Sequence, residues 1–307
     1  MTHKELAIVR TVIYASLFDY PLTLDQLHES LIESDQTPAE ILATYGGSTT
    51  LQRAITYRDE YFFPAGRDDL VAERRHREAR SRAFLARYNL MLRLICTVPF
   101  TRMVALSGSI AHLNLERGGD LDLFVVTRGP HAWMVAVTVL LLTNLLGRRR
   151  AVCANFVLAD SRLTLEQQDL FSANQVIHLK PLIGAEVLDE LLAANPFIRR
   201  IFPNALAWHP HSPVRWRRRP TIESLKAALE AALTLPSPLI ESACRRLYAW
   251  HLRRRTRLWQ SPEQVRLEED TLKLHTHSHR DSVLSRFNRA VGVVVNQDAP
   301  VGIRRAV

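Results

Sequence analysis

The chain has 307 residues, of which 47% are hydrophobic, and this length predicts two or three compact units with a buried core. Its three cysteines lie far apart, which excludes a disulfide framework and a cysteine-based zinc site of familiar spacing. The formal net charge of +9 favours polyanionic partners, namely nucleotides, nucleic acid or an anionic membrane surface.

The sequence gives little reason to expect a membrane protein. Its one long apolar run, residues 132–146, contains Thr138, Thr143 and Asn144. This run is shorter than the roughly 20 residues that a spanning helix needs, so we interpret it as a helix buried against a sheet. The first residues include early polar side chains and lack a signal-peptide cleavage pattern. We therefore expect a cytoplasmic protein with no membrane partner.

Residues 1–68 are predicted to form a small helical unit. The first two predicted helices are Glu5–Phe18 and Leu24–Leu31, the second with Thr23 and Gln26 as a capping box. The third begins at Pro38, after the cap Thr37, and ends at Gly46-Gly47. The fourth is Thr50–Tyr57. The aromatic run 61–63, closed by Pro64, indicates a short strand and turn. This order resembles a winged helix. Such a unit could place a helix in a DNA groove, but the segment 38–57 carries few charges, so a protein-contact or scaffolding role is an equal alternative.

Residues 69–99 are predicted to form a connecting segment dominated by one long helix, Asp69–Cys96. Its apolar stripe consists of Leu70, Phe84, Leu85, Tyr88, Met91, Leu92 and Ile95. Its first half carries six arginines, Arg74, Arg75, Arg77, Arg80, Arg82 and Arg87, interleaved with Glu73 and Glu78. Two interpretations are open for this basic run: a solvated helix face, or a basic wall for a polyanion.

Residues 100–184 contain the stretch with the clearest chemical pattern, residues 103–127. An apolar strand ends in Ser107-Gly108-Ser109, a short helical segment and a glycine turn follow, and a second apolar strand begins with Asp120-Leu121-Asp122. Residues i and i+2 of a strand share a face, so the two carboxylates should project side by side. Their mutual repulsion favours a divalent cation, and oxygen ligands suit Mg²⁺. A turn that leads into a helix N-terminus favours a phosphate.

This stretch resembles the signature of the nucleotidyltransferase superfamily, which has the DNA polymerase β-like fold. The resemblance rests on the Gly108-Ser109 pair, the step of eleven positions from Ser109 to Asp120, both acids and both flanking strands. By a weaker likeness, most of the chain resembles bacterial proteins that carry this domain. The resemblance implies an α+β fold, with a mixed sheet, flanking helices, a winged-helix-like N-terminal unit and a C-terminal helical region.

The resemblance also implies a reaction and a set of residues. The implied enzyme transfers a nucleoside monophosphate from a nucleoside triphosphate, with ATP as the expected nucleotide, to an unknown hydroxyl acceptor on a small molecule, a protein or RNA. Asp120 and Asp122 would hold Mg²⁺, or Mn²⁺ in its place. Gly108 and Ser109 would contact the β and γ phosphates, and Lys273, His275 and Arg280 would fold over the phosphates from the C-terminal region.

One position departs from the family pattern. The third predicted strand, residues 151–158, should supply a third acid but contains no Asp or Glu. Asn155 occupies the facing position and Asp160 lies just beyond the strand. An amide oxygen can coordinate Mg²⁺ but is a poor base. The predicted catalytic set is therefore Asp120, Asp122 and Asn155, and two alternatives stay open: a catalytically degenerate nucleotide-binding protein, or a regulator that binds DNA through its N-terminal unit.

Residues 185–307 are predicted to be a C-terminal helical region. The helices predicted after Asp160 are Leu165–Leu179 with Thr164 as cap, Ala185–Ala194, Ile222–Leu235 and Leu239–Leu258. Trp208, Trp216 and the run Arg215–Arg219 indicate a surface loop, with nucleic-acid binding as the alternative. The segment 273–281 contains three alternating histidines, for which a transition-metal site and a solvated loop are the alternatives to the phosphate contacts named above.

Overall fold

The computed structural model describes residues 1–207, 220–274 and 278–297 as a mixed α+β structure. The α-helices in these ranges are α1 His3–Ser16, α2 Leu24–Glu29, α3 Pro38–Gly47, α4 Thr49–Ala54, α5 Asp69–Cys96, α6 Gly108–Ala111, α7 Ala132–Leu145, α8 Leu170–Ile177, α9 Glu186–Ala193, α10 Phe197–Ile201, α11 Pro220–Thr234, α12 Ser237–Arg253 and α13 Arg280–Gln297. The strands are β1 Leu22–Thr23, β2 Ile55–Arg58, β3 Tyr61–Pro64, β4 Thr101–Ser107, β5 Leu121–Thr127, β6 Val152–Ala159, β7 Lys180–Ile183, β8 Val265–Leu267 and β9 Thr271–Leu274.

The N-terminal unit packs helices α1–α4 with a three-stranded antiparallel sheet in the order β1-β3-β2. The predicted capping residues Thr23 and Thr37 are confirmed, since each side chain accepts the backbone N–H three residues later in a complete capping box. The fourth predicted helix is wrong at both ends. The helix α4 begins at Thr49, one residue earlier than predicted, because the Ser48 side chain caps it. It ends at Ala54 because the next four residues pair with β3 as strand β2.

Helix α5 has the predicted bounds, and its basic run divides into two groups. Arg75, Arg82 and Arg87 are exposed, as a solvated helix face predicts, whereas Arg74 and Arg77 fit neither interpretation. Arg74 is buried, bonds to the carbonyl of Pro21 and lies over the rings of Tyr20 and Tyr61 at 4.2 and 4.7 Å. Arg77 is also buried and forms an ion pair with Asp19 at 3.2 Å. Both arginines therefore attach the long helix to the N-terminal unit.

The central sheet has six strands in the order β7-β4-β5-β6-β9-β8. The pair β5–β6 is parallel and its other four pairs are antiparallel, so the sheet is mixed as predicted. Strands β4 and β5 are almost wholly buried, which explains their nearly continuous apolar sequences. The chain order strand, helix, strand, long helix, strand from β4 to β6 is also as predicted.

The C-terminal region is not purely helical, which corrects the expectation for residues 185–307. Strands β8 and β9 come from this region and extend the central sheet beside β6. Strand β7 was also not predicted; it lies at the sheet edge, where Pro181 is tolerated. The helix predicted to begin after Thr164 begins only at Leu170, because the Asp169 carboxylate accepts the Ser172 N–H and caps α8 there.

The apolar helix α7 packs against the central sheet, as its composition indicates, and its Trp133 side chain is fully buried. Its N-terminus is capped from outside: Glu241 of α12 accepts the backbone N–H groups of Trp133 and Met134 at 2.8 and 2.7 Å. This contact fixes α12 against α7. No helix within the described ranges combines the length and apolarity that crossing a lipid bilayer requires.

Candidate active site

The paired strands β4 and β5 bring the glycine turn next to the acidic strand start. Ser107, the last residue of β4, is the register partner of Asp122, the second residue of β5. Gly108 follows directly as the first residue of α6, and Asp120 directly precedes β5. The two segments that the sequence pattern singled out therefore meet at one end of the sheet.

Gly108 lies in van der Waals range of the Asp122 side chain. Its φ of +62° is in the left-handed region, which favours glycine. A Cβ atom added at this position would lie 2.6 Å from Oδ2 of Asp122, closer than real Cβ contacts come. The backbone conformation and the close approach thus both require glycine here.

Ser109 sits beside this contact with a free hydroxyl. The residue is partly buried, and its Oγ has no hydrogen-bond partner among the described residues. Helix α6 is only four residues long, so its dipole contributes little. A phosphate here would be held by the serine hydroxyl and by local backbone N–H groups.

The half-buried carboxylate of Asp122 has an unusual electrostatic environment. Burial, and then the neighbouring charge of Asp120, raise the pKa of Asp122 to about 7, while the hydrogen bond from Asn155 opposes this shift. Within the described ranges, neither Asp120 nor Asp122 forms an ion pair with a basic side chain. A divalent cation would supply the missing positive charge, so the donor set fits one.

Asn155 on β6 completes the carboxylate environment from the neighbouring strand. Its Nδ2 donates a hydrogen bond to Oδ1 of Asp122 at 2.6 Å. Asp160, the other residue considered for the third acid, lies at the opposite end of the strand pair, beside Thr127. There its carboxylate accepts the Gly129 N–H and forms an ion pair with Arg102. The structure thus brings Asn155, and not Asp160, to Asp122.

Sequence reasoning missed Cys153, the register partner of Asp122 on β6. Burial, followed by the hydrogen bond to Asp120 and its charge, raises the pKa of the Cys153 thiol to about 12, so the thiol is neutral at physiological pH. The signal that could have identified it is its position in the predicted strand 151–158, two residues before Asn155.

In the described part of the chain, no group of three or more His, Cys, Asp or Glu side chains could hold a metal ion. Asp120 and Asp122 offer two carboxylates, with an amide beside them. An ion bound there would need water or ligand oxygens for its other positions, and Mg²⁺ commonly keeps several waters.

A cavity of about 170 Å³ is lined by two neighbours of Asp122, its register partner Ser107 and its hydrogen-bond partner Asn155, but not by Asp120 or Asp122. Ser107 and Asn155 line the end of the cavity nearest to Asp122. The rings of Phe124 and Phe156 form part of its wall and pack edge to face, with their centroids 4.9 Å apart. Lys273 lines the same cavity, where Nζ donates to Oε1 of Gln167 at 2.9 Å. Burial and then the nearby charge of Arg266 lower the pKa of Lys273.

Arg280 and His275 are the other two C-terminal residues predicted to contact the phosphates. Arg280 does not line the cavity; at the start of α13 it forms an ion pair with Asp169, the cap of α8, and another with Asp281. His275 lies outside the described residues, as do Trp208, Trp216 and the run 215–219.

The site thus joins Gly108, Ser109, Asp120, Asp122 and Asn155 at one end of the sheet, with Lys273 in the adjoining cavity. The pairing of strands β4, β5 and β6 brings these residues together, and this pairing cannot be predicted from the sequence pattern. Comparison of the chain with protein-family models, with curated proteins and with solved structures finds no match.

Proposed function

We propose that the chain is a Mg²⁺-dependent nucleotidyltransferase that transfers a nucleoside monophosphate from a nucleoside triphosphate to a hydroxyl acceptor. The observation that carries this proposal is the close contact between Gly108 and the half-buried carboxylate of Asp122. This contact joins a glycine-serine turn to an acidic pair that has no basic partner in the described ranges. A phosphate-binding turn beside such a pair suits phosphoryl or nucleotidyl transfer.

Each residue has a role in this proposal. Asp120 and Asp122 would hold the metal, which when bound supplies charge neutralisation of the triphosphate and activation of the acceptor hydroxyl. Ser109 and the local backbone N–H groups would bind the terminal phosphates. Asn155 fixes the Asp122 carboxylate through Oδ1 and leaves Oδ2 directed toward the Gly108 turn. Lys273 adds positive charge at the cavity.

The proposed reaction exchanges one phosphorus–oxygen bond for another. The acceptor oxygen forms a bond to the α-phosphorus, and the bond from the α-phosphorus to the bridging oxygen breaks. The electron pair of the broken bond leaves with pyrophosphate. The hydroxyl proton passes to water, because β6 carries no acid that could take it.

A second candidate is a nucleotide-binding protein with the same site but without turnover. The observation that favours it is the amide of Asn155 where the family pattern has an acid. Both candidates bind nucleotide and metal, and they differ in pyrophosphate release. Release in the presence of wild type, and its loss in Asp122→Asn, would support the enzyme.

The interpretation of the N-terminal unit as winged-helix-like also stays a proposal. Its segment α3–α4 exposes Arg53, while the charge of Glu40 is already paired with Lys4 at 2.9 Å. DNA binding through this unit predicts salt-dependent affinity for duplex DNA that persists in Asp120→Asn.

The proposal is tested by thermal unfolding with each of the four ribonucleoside triphosphates, with and without Mg²⁺. A ligand at about 100 times its dissociation constant adds about 2.7 kcal/mol of stability. We expect a metal-dependent increase for wild type and none for Asp122→Asn. Asp160→Asn is the matched control, because it neutralises a carboxylate at the opposite end of the strand pair. An absence of stabilisation by every nucleotide would contradict the proposal.

A further inference from the structure

The end of helix α12 and the turn after it carry an unusual concentration of positive charge. Residues 242–262 contain six arginines and no Asp or Glu. The arginines are Arg245, Arg246, Arg253, Arg254, Arg255 and Arg257. All but Arg245 are exposed to solvent.

Part of this segment forms an open groove of about 550 Å³, which we name the α12 groove. Its lining consists of Arg245, Arg246, Ala249, Trp250, Arg253, Arg254 and Leu267. Trp250 is 54% exposed, and the guanidinium of Arg254 lies over its ring at 3.6 Å. The groove therefore offers an exposed aromatic surface surrounded by positive charge.

The charges of the α12 groove differ from those of α5, where Arg77 is buried among acidic partners. Among the described residues, the six arginines form one ion pair with an acidic side chain, between Arg245 and Glu269 at 3.3 Å. Like charges that close together repel each other, and a polyanion would relieve this repulsion.

The helix that carries the α12 groove also borders strand β6 of the candidate active site. Tyr248, next to Ala249 on α12, lines a small cavity of about 40 Å³ together with Arg149, Cys153 and Asn155. Glu241 holds the same helix against α7 through two backbone hydrogen bonds. A molecule in the groove would thus lie on the helix whose Tyr248 borders the same small cavity as Asn155.

We propose that the α12 groove binds single-stranded RNA, and, as an inference that rests on the proposed function, that this RNA is the acceptor. Arginines that track a phosphate backbone, with an aromatic ring on which a base stacks, are the means by which proteins hold single strands. Stacking on Trp250 requires an unpaired base, and unpaired segments are the form in which RNA is usually recognised.

The groove is tested by fluorescence anisotropy with a labelled single-stranded RNA of about 20 nucleotides, which is longer than the roughly 4–16 nucleotides that one single-strand binding fold covers. We expect Arg246→Ala/Arg253→Ala to weaken binding about tenfold or more. For this double variant, the slope of log affinity against log salt concentration should be shallower by about 1.4 than for wild type. Each phosphate contact on a single strand contributes about 0.7 to the slope, and the variant loses two. The matched control is Arg199→Ala/Arg200→Ala, which removes the same charge from exposed positions on α10 and should bind as wild type.

Stacking is tested separately with Trp250→Ala, which should weaken binding about fivefold or more. Leu247→Ala is its control, because Leu247 is 70% exposed on the same helix and lines no part of the groove. Equal weakening in both arginine doubles, tighter binding to duplex RNA, or a preference for vesicles of anionic phospholipid would each overturn the groove assignment.

The acceptor role has its own readout, lengthening of the labelled RNA on a denaturing gel after nucleoside triphosphates and Mg²⁺ are added. Lengthening that is reduced in Arg246→Ala/Arg253→Ala would support it. If nucleotides stabilise the protein but the RNA does not lengthen, the acceptor role is wrong and the nucleotide site stands. If RNA binds while no nucleotide stabilises the protein, the proposed function fails and the groove stands without its acceptor role.

Discussion

Asn155 donates a hydrogen bond from Nδ2 to Oδ1 of Asp122 at 2.6 Å, across the parallel pair β5–β6. Asn155 stands where the family pattern has a third acid. An acid at this position would repel the Asp122 carboxylate, whereas the amide of Asn155 holds it in place. Burial and Asp120 already raise the pKa of Asp122 to about 7. The amide thus stabilises a crowded acidic pair, and the chain can hold this pair together before any cation binds.

The first prediction concerns Asn155→Asp. Without metal, this variant should lose about 1–3 kcal/mol of unfolding free energy, because a donor is replaced by a third negative charge. Mg²⁺ should then stabilise the variant more than it stabilises wild type. Thermal unfolding in chelator and in Mg²⁺ measures both effects. Asn155→Ala is the control, since it removes the hydrogen bond without adding charge; an equal response to Mg²⁺ in both variants would count against a metal at this position.

The second prediction concerns the glycine turn. Gly108→Ala and Gly118→Ala both place a side chain at positive φ, which costs about 1–2 kcal/mol. A Cβ at Gly118 meets no atom within 4 Å, whereas a Cβ at Gly108 meets Oδ2 of Asp122. We expect Gly108→Ala to be the less stable variant and the only one of the two to lose nucleotide-dependent stabilisation. Equal nucleotide responses in the two variants would show that the contact does not shape the site.

The third prediction is a loss of stability in acid that is caused by a pair of half-buried histidines, His112 and His178. The rings of His112 and His178 lie 4.2 Å apart, and burial lowers the pKa of both, that of His178 to about 4. The folded state therefore binds fewer protons than the unfolded chain, whose histidines have a pKa of about 6.5. The stabilisation is complete above that pH and is lost as the pH falls toward 4.

At pH 5 the contribution of His178 is a loss of about 2 kcal/mol relative to pH 8. Urea unfolding at both values measures the difference. His178→Gln, which has no titrating ring, should show a smaller loss between the two pH values than wild type. A variant with the full wild-type loss would exclude His178 as the cause.

The fourth prediction separates the two kinds of arginine on α5. Arg77→Ala should cost about 2 kcal/mol or more, because Arg77 is buried and the substitution removes its ion pairs with Asp19 and Glu73; Asp19 then keeps only Arg67 as a partner. Arg82→Ala should cost less than about 0.5 kcal/mol, because the Arg82–Glu78 pair is an exposed contact on the same helix. Similar losses from chemical denaturation would contradict the role given to Arg77.

The sequence indicated the elements whose signals are local. Capping residues such as Thr23 and Thr37, the bounds of the long helix, the strand that ends before Gly108 and the strand that carries Asp122 follow from short patterns. The contact between Asp122 and Asn155 depends on strand register, which no local pattern states. Cys153 was missed for the same reason.

The strands of the C-terminal region could not be predicted because they are short and only partly buried. Strand β9 has four residues, of which Leu272 is fully buried and Lys273 reaches the cavity. Such a run lacks a full alternating pattern and acquires its conformation from pairing with β6. The buried arginines of α5 were misread because their partners lie in distant parts of the chain.

The pairing of β6 with β9 also has a consequence for how the chain is made. During synthesis, β6 leaves the ribosome long before β9, so the strand that carries Asn155 has one bare edge until the C-terminal region follows. Bare edges are sites at which newly made chains pair with one another and aggregate. A chain that stops before residue 271 would keep this edge permanently, and we expect it to be recovered as aggregates that the full chain does not form.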